Sequence, residues 1–225
     1  MKKILLSILI LTFISNQAFA DAAKTNEEKE VHNFVNDIGN KIIAVAGNSK
    51  LNLPQRKERL VTIIEAVVDI DWISKFVLGK HYRTATPEQK EQFKKLYREF
   101  MINTYSPKFT GYNGEKFSIT SITKDDNYYT AKCLFSPKDK APTINLDFRV
   151  RKNTDKNESK FLIFDIVAEG VSLIETQRSE FGSVISKDGL DSFLADLVER
   201  IKKLKSENAK PQSGKAGGSS TAKKK

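Results

Sequence analysis

"FDIVAEGVSLIETQRSEFGSVI", Phe164 to Ile185, begins as a strand, passes through an acid and a glycine, and restarts as a helix with Arg178 and Glu180 among its apolar residues. The stretch has two readings. It is an active-site turn with Asp165 and Glu169 as catalytic acids, or it is a corner that redirects the chain from strand to helix. On an extended strand four residues span about 13 Å, beyond the ~5–9.5 Å that separates paired glycosidase carboxylates. A turn at Glu169-Gly170 would shorten that distance, so a hydrolase using Asp165 and Glu169 stays open as an alternative. Read as a corner, Asp165 hydrogen-bonds neighbouring backbone, and Gly170 adopts a conformation that other residues avoid.

Upstream of the corner the apolar period is two. Residues 117–123, 128–135, 144–151 and 161–168 read as four strands. In the third, Ile144, Leu146, Phe148 and Val150 alternate with Asn145, Asp147, Arg149 and Arg151, one apolar face and one wet. The polar run "NTDKNES" is a hairpin loop, and connections this short make the sheet antiparallel. Downstream, residues 171–185 and 190–204 carry helical patterns. The N-terminal half is helical too: Thr25 and Glu28 form a capping-box pattern before Val31, Phe34, Val35 and Ile38; Pro54 suits a first helical position; Asp71 is a cap candidate; and Thr86-Pro87-Glu88-Gln89 opens a run of Phe93, Leu96, Tyr97, Phe100 and Met101. The expected architecture is α+β, with helices covering the apolar face of a twisted antiparallel sheet.

Both ends of the chain differ from its body. Residues 1–20, MKKILLSILILTFISNQAFA, have two lysines, an apolar run to Phe13, polar residues, and Ala18-Phe19-Ala20. That is the pattern of a cleaved signal peptide, with Asp21 as the expected mature start and an uncleaved anchor as the competing reading. Residues 21–205 form the expected folded domain, and the Lys-rich 206–225 a disordered tail. Of the net charge of +10, two belong to Lys2 and Lys3 and seven to residues 202–225, leaving +1 on the body. A nearly neutral body gives no overall basic excess for nucleic acid. The tail suits either solubilisation or weak attraction to an anionic membrane.

Few residues suggest chemistry. No HExxH, GxSxG, Walker A or CxxC motif occurs, and Ser121 of an S-x-x-K match lies in a strand pattern where such a nucleophile would need a helix. His32 and His81 lack acidic companions at ligand spacing, so no metal is expected. Cys133 is the one cysteine and reads as a small core residue. Apolar and aromatic side chains are plentiful. They read as core, with room for a cavity between sheet and helices.

"NLDFRVRKN" (145–153), the D-x-x-x-E-G-V-S-L corner from Asp165, and Lys187, Gly189, Leu190, Asp191 and Leu194 resemble the C-terminal half of the MlaC family, also called the toluene-tolerance Ttg2 family. "FVLGKHYRTATPEQKEQFKKLYREFMINTY" is similar to that family's helical half. The resemblance implies an NTF2-like sheet whose helices enclose a lipid-tail cavity. It also implies a periplasmic carrier of phospholipid, with the lipid as cargo and no cofactor. Its implied partners are an outer-membrane lipoprotein–porin complex and an inner-membrane ABC transporter with a lipid-binding subunit, which together maintain outer-membrane asymmetry. The expected tail site lies between Leu146, Phe148 and Val150 on the sheet and the helices bearing Trp72, Phe76, Phe93, Tyr97 and Phe100, with Val171 and Leu173 at its edge. The Lys-rich extension and Gln177-Arg178 depart from the family pattern. A lipid-free periplasmic adaptor is the remaining alternative.

Overall fold

The computed structural model describes residues 5–110, 114–136, 142–154 and 159–209, with side chains from residue 26 onward except at 108–110. Helices α1 (Leu5–Ala46), α2 (Leu53–Glu65), α3 (Ile70–Leu78), the single turn α4 (His81–Thr84) and α5 (Pro87–Thr110) come first. Strands β1 (Lys116–Lys124), β2 (Tyr129–Ser136), β3 (Ile144–Lys152), β4 (Phe161–Ala168) and β5 (Val171–Ser172) follow, then α6 (Leu173–Asp188) and α7 (Leu190–Ala209). The fold is α+β, and four strands lie within a residue or so of where alternation puts them.

Local chemistry sets the helix ends. Asn52 and Gln55 make a reciprocal capping box that encloses Pro54, and Thr86 and Gln89 exchange the same pair of bonds at the start of α5. The cap of α3 is Asp69, which accepts the Trp72 N–H at 3.1 Å. Asp71, the expected cap, lies inside the first turn and binds Lys94 at 3.2 Å. Helix α1 does not begin at Thr25 but runs through it. Residues Val171 and Ser172 belong to β5, so α6 starts two residues later than its apolar pattern suggests, where Ser172 accepts from Glu175 N. At the other end α7 continues to Ala209, held by Asn208, which donates to the Asn103 carbonyl on α5 at 2.8 Å. Residues 206–209, expected in the tail, are therefore helical; 210–225 lie outside the described residues, as do 1–4 of the expected signal peptide.

The sheet is an antiparallel meander in the order β1-β2-β3-β4-β5. Bulges interrupt β1 between Ile119 and Ser121, and the β3–β4 pairing at Arg149 and Val150. Beside β4, Val68 makes a parallel bridge to Ile163 through bonds of 2.7 and 2.9 Å from the segment joining α2 and α3.

Two separate cores result. One face of the sheet, with Tyr129, Ala131, Cys133, Val150, Phe161 and Ile163, packs on Val31, Val35 and Ile38 of α1. The helices α3, α5, α6 and α7 build the other core around Phe93, Tyr97, Phe181 and Phe193, and Phe164 joins it from the sheet. The β4 bulge puts consecutive Phe164 and Asp165 on the same, helical side, where an unbroken strand would alternate them. The apolar sheet face is thus covered mainly by α1, not by the helical layer as a whole.

Candidate functional site

Between α1 and the sheet lies a hollow of about 110 Å³, walled by Val35, Ile38, Gly39, Ile42, Ile43 and Ala46 of α1 and by Phe117, Phe135, Leu146, Phe148 and Ile163 of the sheet, with Glu115 the one charged residue in the wall. Helical spacing sets the first group: Ile38, Ile42 and Ala46 recur every four residues. Strand pairing sets the second, since Phe117 opposes Phe135, Phe135 opposes Ile144, and Cys133 opposes Leu146, all on one face. Gly39 brings the layers close: a Cβ there would sit 2.6 Å from the Phe117 ring. Glu115 apart, every residue of this wall is apolar or glycine. It suits hydrocarbon.

The expected site residues fall into two groups. Leu146 and Phe148 line the hollow, and Val150, fully buried, continues the same packed layer. Val171 pairs with Ala168, which pairs with Leu146, so it extends the apolar face beyond the cover of α1 and is 60 % exposed. Phe93, Tyr97 and Phe100 are buried in the helical core, stacked or edge-on with one another and with Phe181. Trp72 stacks on Phe76 and meets Phe164 edge-on. Leu173 opens α6, half-buried. The two groups expected to face each other across one space are therefore on opposite faces of the sheet. Sequence reasoning missed the α1 residues and Phe117 and Phe135; a glycine between Ile38 and Ile42 was the available signal of close approach.

A larger hollow of about 580 Å³ opens at the far end of β1 and β2, lined by Trp72, Tyr128 and Phe164 with Lys124, Asp126, Arg151 and Lys152. Its cations are already engaged. Arg151 pairs with Asp69, while Lys152 and Lys124 both bind Glu27 of α1, as does the Tyr129 hydroxyl. Lys152 first, then Tyr129, holds the Glu27 carboxyl down to about 2. Burial and Glu27 together push the Tyr129 phenol up to about 12. This cluster, with Lys160 on Glu30 at 2.6 Å, pins the middle of α1 to the sheet. The apolar hollow lies under the C-terminal part of the same helix.

The corner is held by its own side chains. Asp165 accepts from Ser172 Oγ at 2.7 Å, Arg149 Nη1 at 3.1 Å and Ile174 N at 3.3 Å. Burial pushes its carboxyl above the usual range, and those three partners pull the other way. Glu169 and Gly170 both have positive φ, 48° and 80°, the requirement of a two-residue hairpin turn. The exposed Glu169 carboxylate accepts from Asn145 N at 2.5 Å. The two acids bind different partners, and neither lines either of these two hollows.

The remaining candidates are also placed. Gln177 is buried, accepting from the Tyr97 hydroxyl and donating toward Met101 Sδ at 3.3 Å, and the Arg178 guanidinium lies 4.7 Å from the Phe76 ring centre. His81 meets Ser186 at 3.3 Å, and His32 is exposed. Cys133 is buried, its thiol pushed up to about 12 by desolvation. Among the described residues no group of three or more His, Cys, Asp or Glu is placed to hold a metal, and no helix is long and apolar enough to cross a membrane.

A family model described as MlaC protein matches residues 35–199. The chain is 24% identical over 196 residues to the intermembrane phospholipid transport system binding protein MlaC of Haemophilus influenzae, covering 84% of this chain and 90% of that one. It is 22% identical over 153 residues to toluene tolerance protein ttg2D of Pseudomonas putida, covering 64% and 69%. Among solved structures it is similar to a phospholipid-binding protein from Ralstonia solanacearum in complex with a phospholipid, at 25% identity and a TM-score of 0.67, over 77% of this chain and 98% of that one.

Proposed function

Because this chain belongs to the MlaC family, we propose that it is a periplasmic carrier that holds a phospholipid by its acyl chains and passes it between membrane complexes. The observation that carries the reading is the hydrocarbon-lined hollow between α1 and the sheet, together with the phospholipid bound by a protein of similar fold. Two acyl chains contain about 30 methylenes, and at ~0.8 kcal/mol each their exposure to water costs about 24 kcal/mol. A carrier must keep them covered throughout the crossing.

The hollow is about 110 Å³, below the ~300–1,000 Å³ of ordinary ligand sites. Loading therefore requires the sheet and α1 to part. The ion-paired middle of α1 stays fixed, and the C-terminal stretch from Gly39 to Ala46, which rests on apolar side chains, is the part that yields. The tails lie against Leu146, Phe148, Phe117 and Phe135, with Val171 at the mouth. Trp72, Phe76, Phe93, Tyr97 and Phe100 support the fold from the other face and do not touch the tails. The headgroup stays in solvent, which agrees with the absence of a polar cage in the wall.

Residues 1–20 direct export and are removed, leaving a carrier domain that runs to the end of α7. The partners are an outer-membrane lipoprotein–porin complex and an inner-membrane ABC transporter with a lipid-binding subunit. Native mass spectrometry of protein purified from an envelope tests the cargo directly. The expected spectrum shows added mass matching one diacyl phospholipid. Lipid-free protein from every preparation would sink the carrier and favour an adaptor.

A further inference from the structure

Among the described residues two glycines lie inside helices, Gly39 in α1 and Gly182 in α6, and neither has a positive φ. Alanine is the better helix former at such a place, so each glycine asks for a reason. At Gly182 a Cβ would meet nothing within 4 Å. At Gly39 it would meet Cδ1 and Cε1 of Phe117, each at 2.6 Å. The Phe117 ring therefore rests on bare α1 backbone, in a seat that only glycine leaves open.

Phe117 is placed to leave that seat. It lies on β1, the outer strand, which pairs only with β2 and is interrupted by the bulge after Ile119. Its ring is half-buried and meets Phe148 edge-on at 6.2 Å. The wall of the hollow divides in the same sense: Val35, Ile38 and Ile163 are buried, whereas Phe117, Phe135 and Phe148 are half-buried. With the ring seated, the hollow of about 110 Å³ has no room for two acyl chains. An aromatic ring fills a cavity on the order of 150 Å³. Its withdrawal would bring the hollow close to the ~300 Å³ at which ordinary ligand sites begin, and the parting of α1 from the sheet supplies the rest.

We propose that the Phe117 ring is an internal plug in the path of the acyl chains, that Gly39 is its seat, and that this pair sets the affinity for lipid. The proposal rests on the carrier reading and deepens it. Tails that enter must displace the ring, so every contact the ring makes with Gly39 counts against loading. A methyl group at residue 39 raises the free energy of the seated arrangement alone. It thereby favours the loaded one.

The test is Gly39→Ala, with Gly182→Ala as its control and Phe117→Ala as a second background. Protein purified from an envelope is stripped with detergent, and part of it is reloaded from phosphatidylethanolamine–phosphatidylglycerol vesicles carrying a phospholipid with a fluorescent tail. Uptake titrations compare affinities, and urea unfolding compares the stripped and loaded forms. Relative to the control, Gly39→Ala is expected to lower the urea midpoint of the stripped protein only and to tighten uptake about tenfold, the ratio that overpacking by one methyl group produces. Gly182→Ala is expected to shift both forms alike and to leave uptake unchanged. With Phe117→Ala in place, Gly39→Ala is expected to lose its effect on uptake, because no ring is left to meet. Equal losses of stability in stripped and loaded Gly39→Ala overturn the proposal, since the ring would then keep its seat beside the lipid. So does unchanged uptake, or a gain in uptake that persists without the ring. Wild type that takes up no lipid at all is a different result, which sinks the carrier reading and the plug with it.

Discussion

The Asp165 carboxylate collects its bonds from Ser172 and Ile174, which the chain delivers seven and nine residues later, and from Arg149 across the sheet. Ser172 also accepts from Glu175 N, so one acid and one hydroxyl join β4, β5 and the start of α6. Asp165→Asn turns an amide N–H₂ toward at least one donor. Such a change should cost about 1–3 kcal/mol in urea unfolding, with lipid per folded molecule unchanged. Complete loss of lipid from a normally stable variant would return the acid to a functional role. Because burial raises its pKa above the ordinary 3.8, the stability that this raised acid contributes is fully present below that value. It is lost as pH rises through the raised one, so wild type gains on the variant as pH falls. The residue types were legible from sequence as a corner. Their partners were not, because a β4 bulge that turns Phe164 and Asp165 to one side leaves no mark in an apolar run.

Helix α1 shows what periodicity tells and what it omits. The stripe of Val31, Val35, Ile38 and Ile42 marks its buried face correctly, and the alternation in β3 separates Phe148 from Arg149 correctly. Neither pattern says which element covers which face, and periodicity alone does not separate Phe93, Tyr97 and Phe100 from the sheet face that α1 occupies. Helix starts failed similarly. Asp69 and Asp71 are both capping residues by type, and only the segment tied to Ile163 decides that Asp69 is in place. The clamp at Glu27 gives this helix a pH signature. Its pKa falls from 4.5 to about 2 in the fold, so the stabilisation is fully present above 4.5 and lost as pH falls toward 2. The stability difference between wild type and Glu27→Gln should follow that course in denaturant titrations from pH 7 down to 3. A difference that does not change with pH would mean that the clamp contributes nothing through charge.

At the scale of the whole molecule, a carrier whose apolar hollow measures about 110 Å³ must trade packing for cargo in order to load. A ligand that binds only the folded chain stabilises it by mass action, about 2.7 kcal/mol at one hundred times its dissociation constant. Stripping the lipid with detergent should therefore lower the midpoint of thermal unfolding by several degrees, with recovery on reloading from vesicles. Identical melting of stripped and loaded protein would place the lipid outside the core. A sheet that parts from its cover also runs a risk of polymerising through its edges. Here β4 is paired along one stretch by the Val68 bridge and along another by β5. The outer strand β1 carries Lys116, a bulge after Ile119, and Lys124. These features leave little straight backbone for a second sheet to join, so a molecule that must repeatedly uncover hydrocarbon is guarded against adding strands to its neighbours.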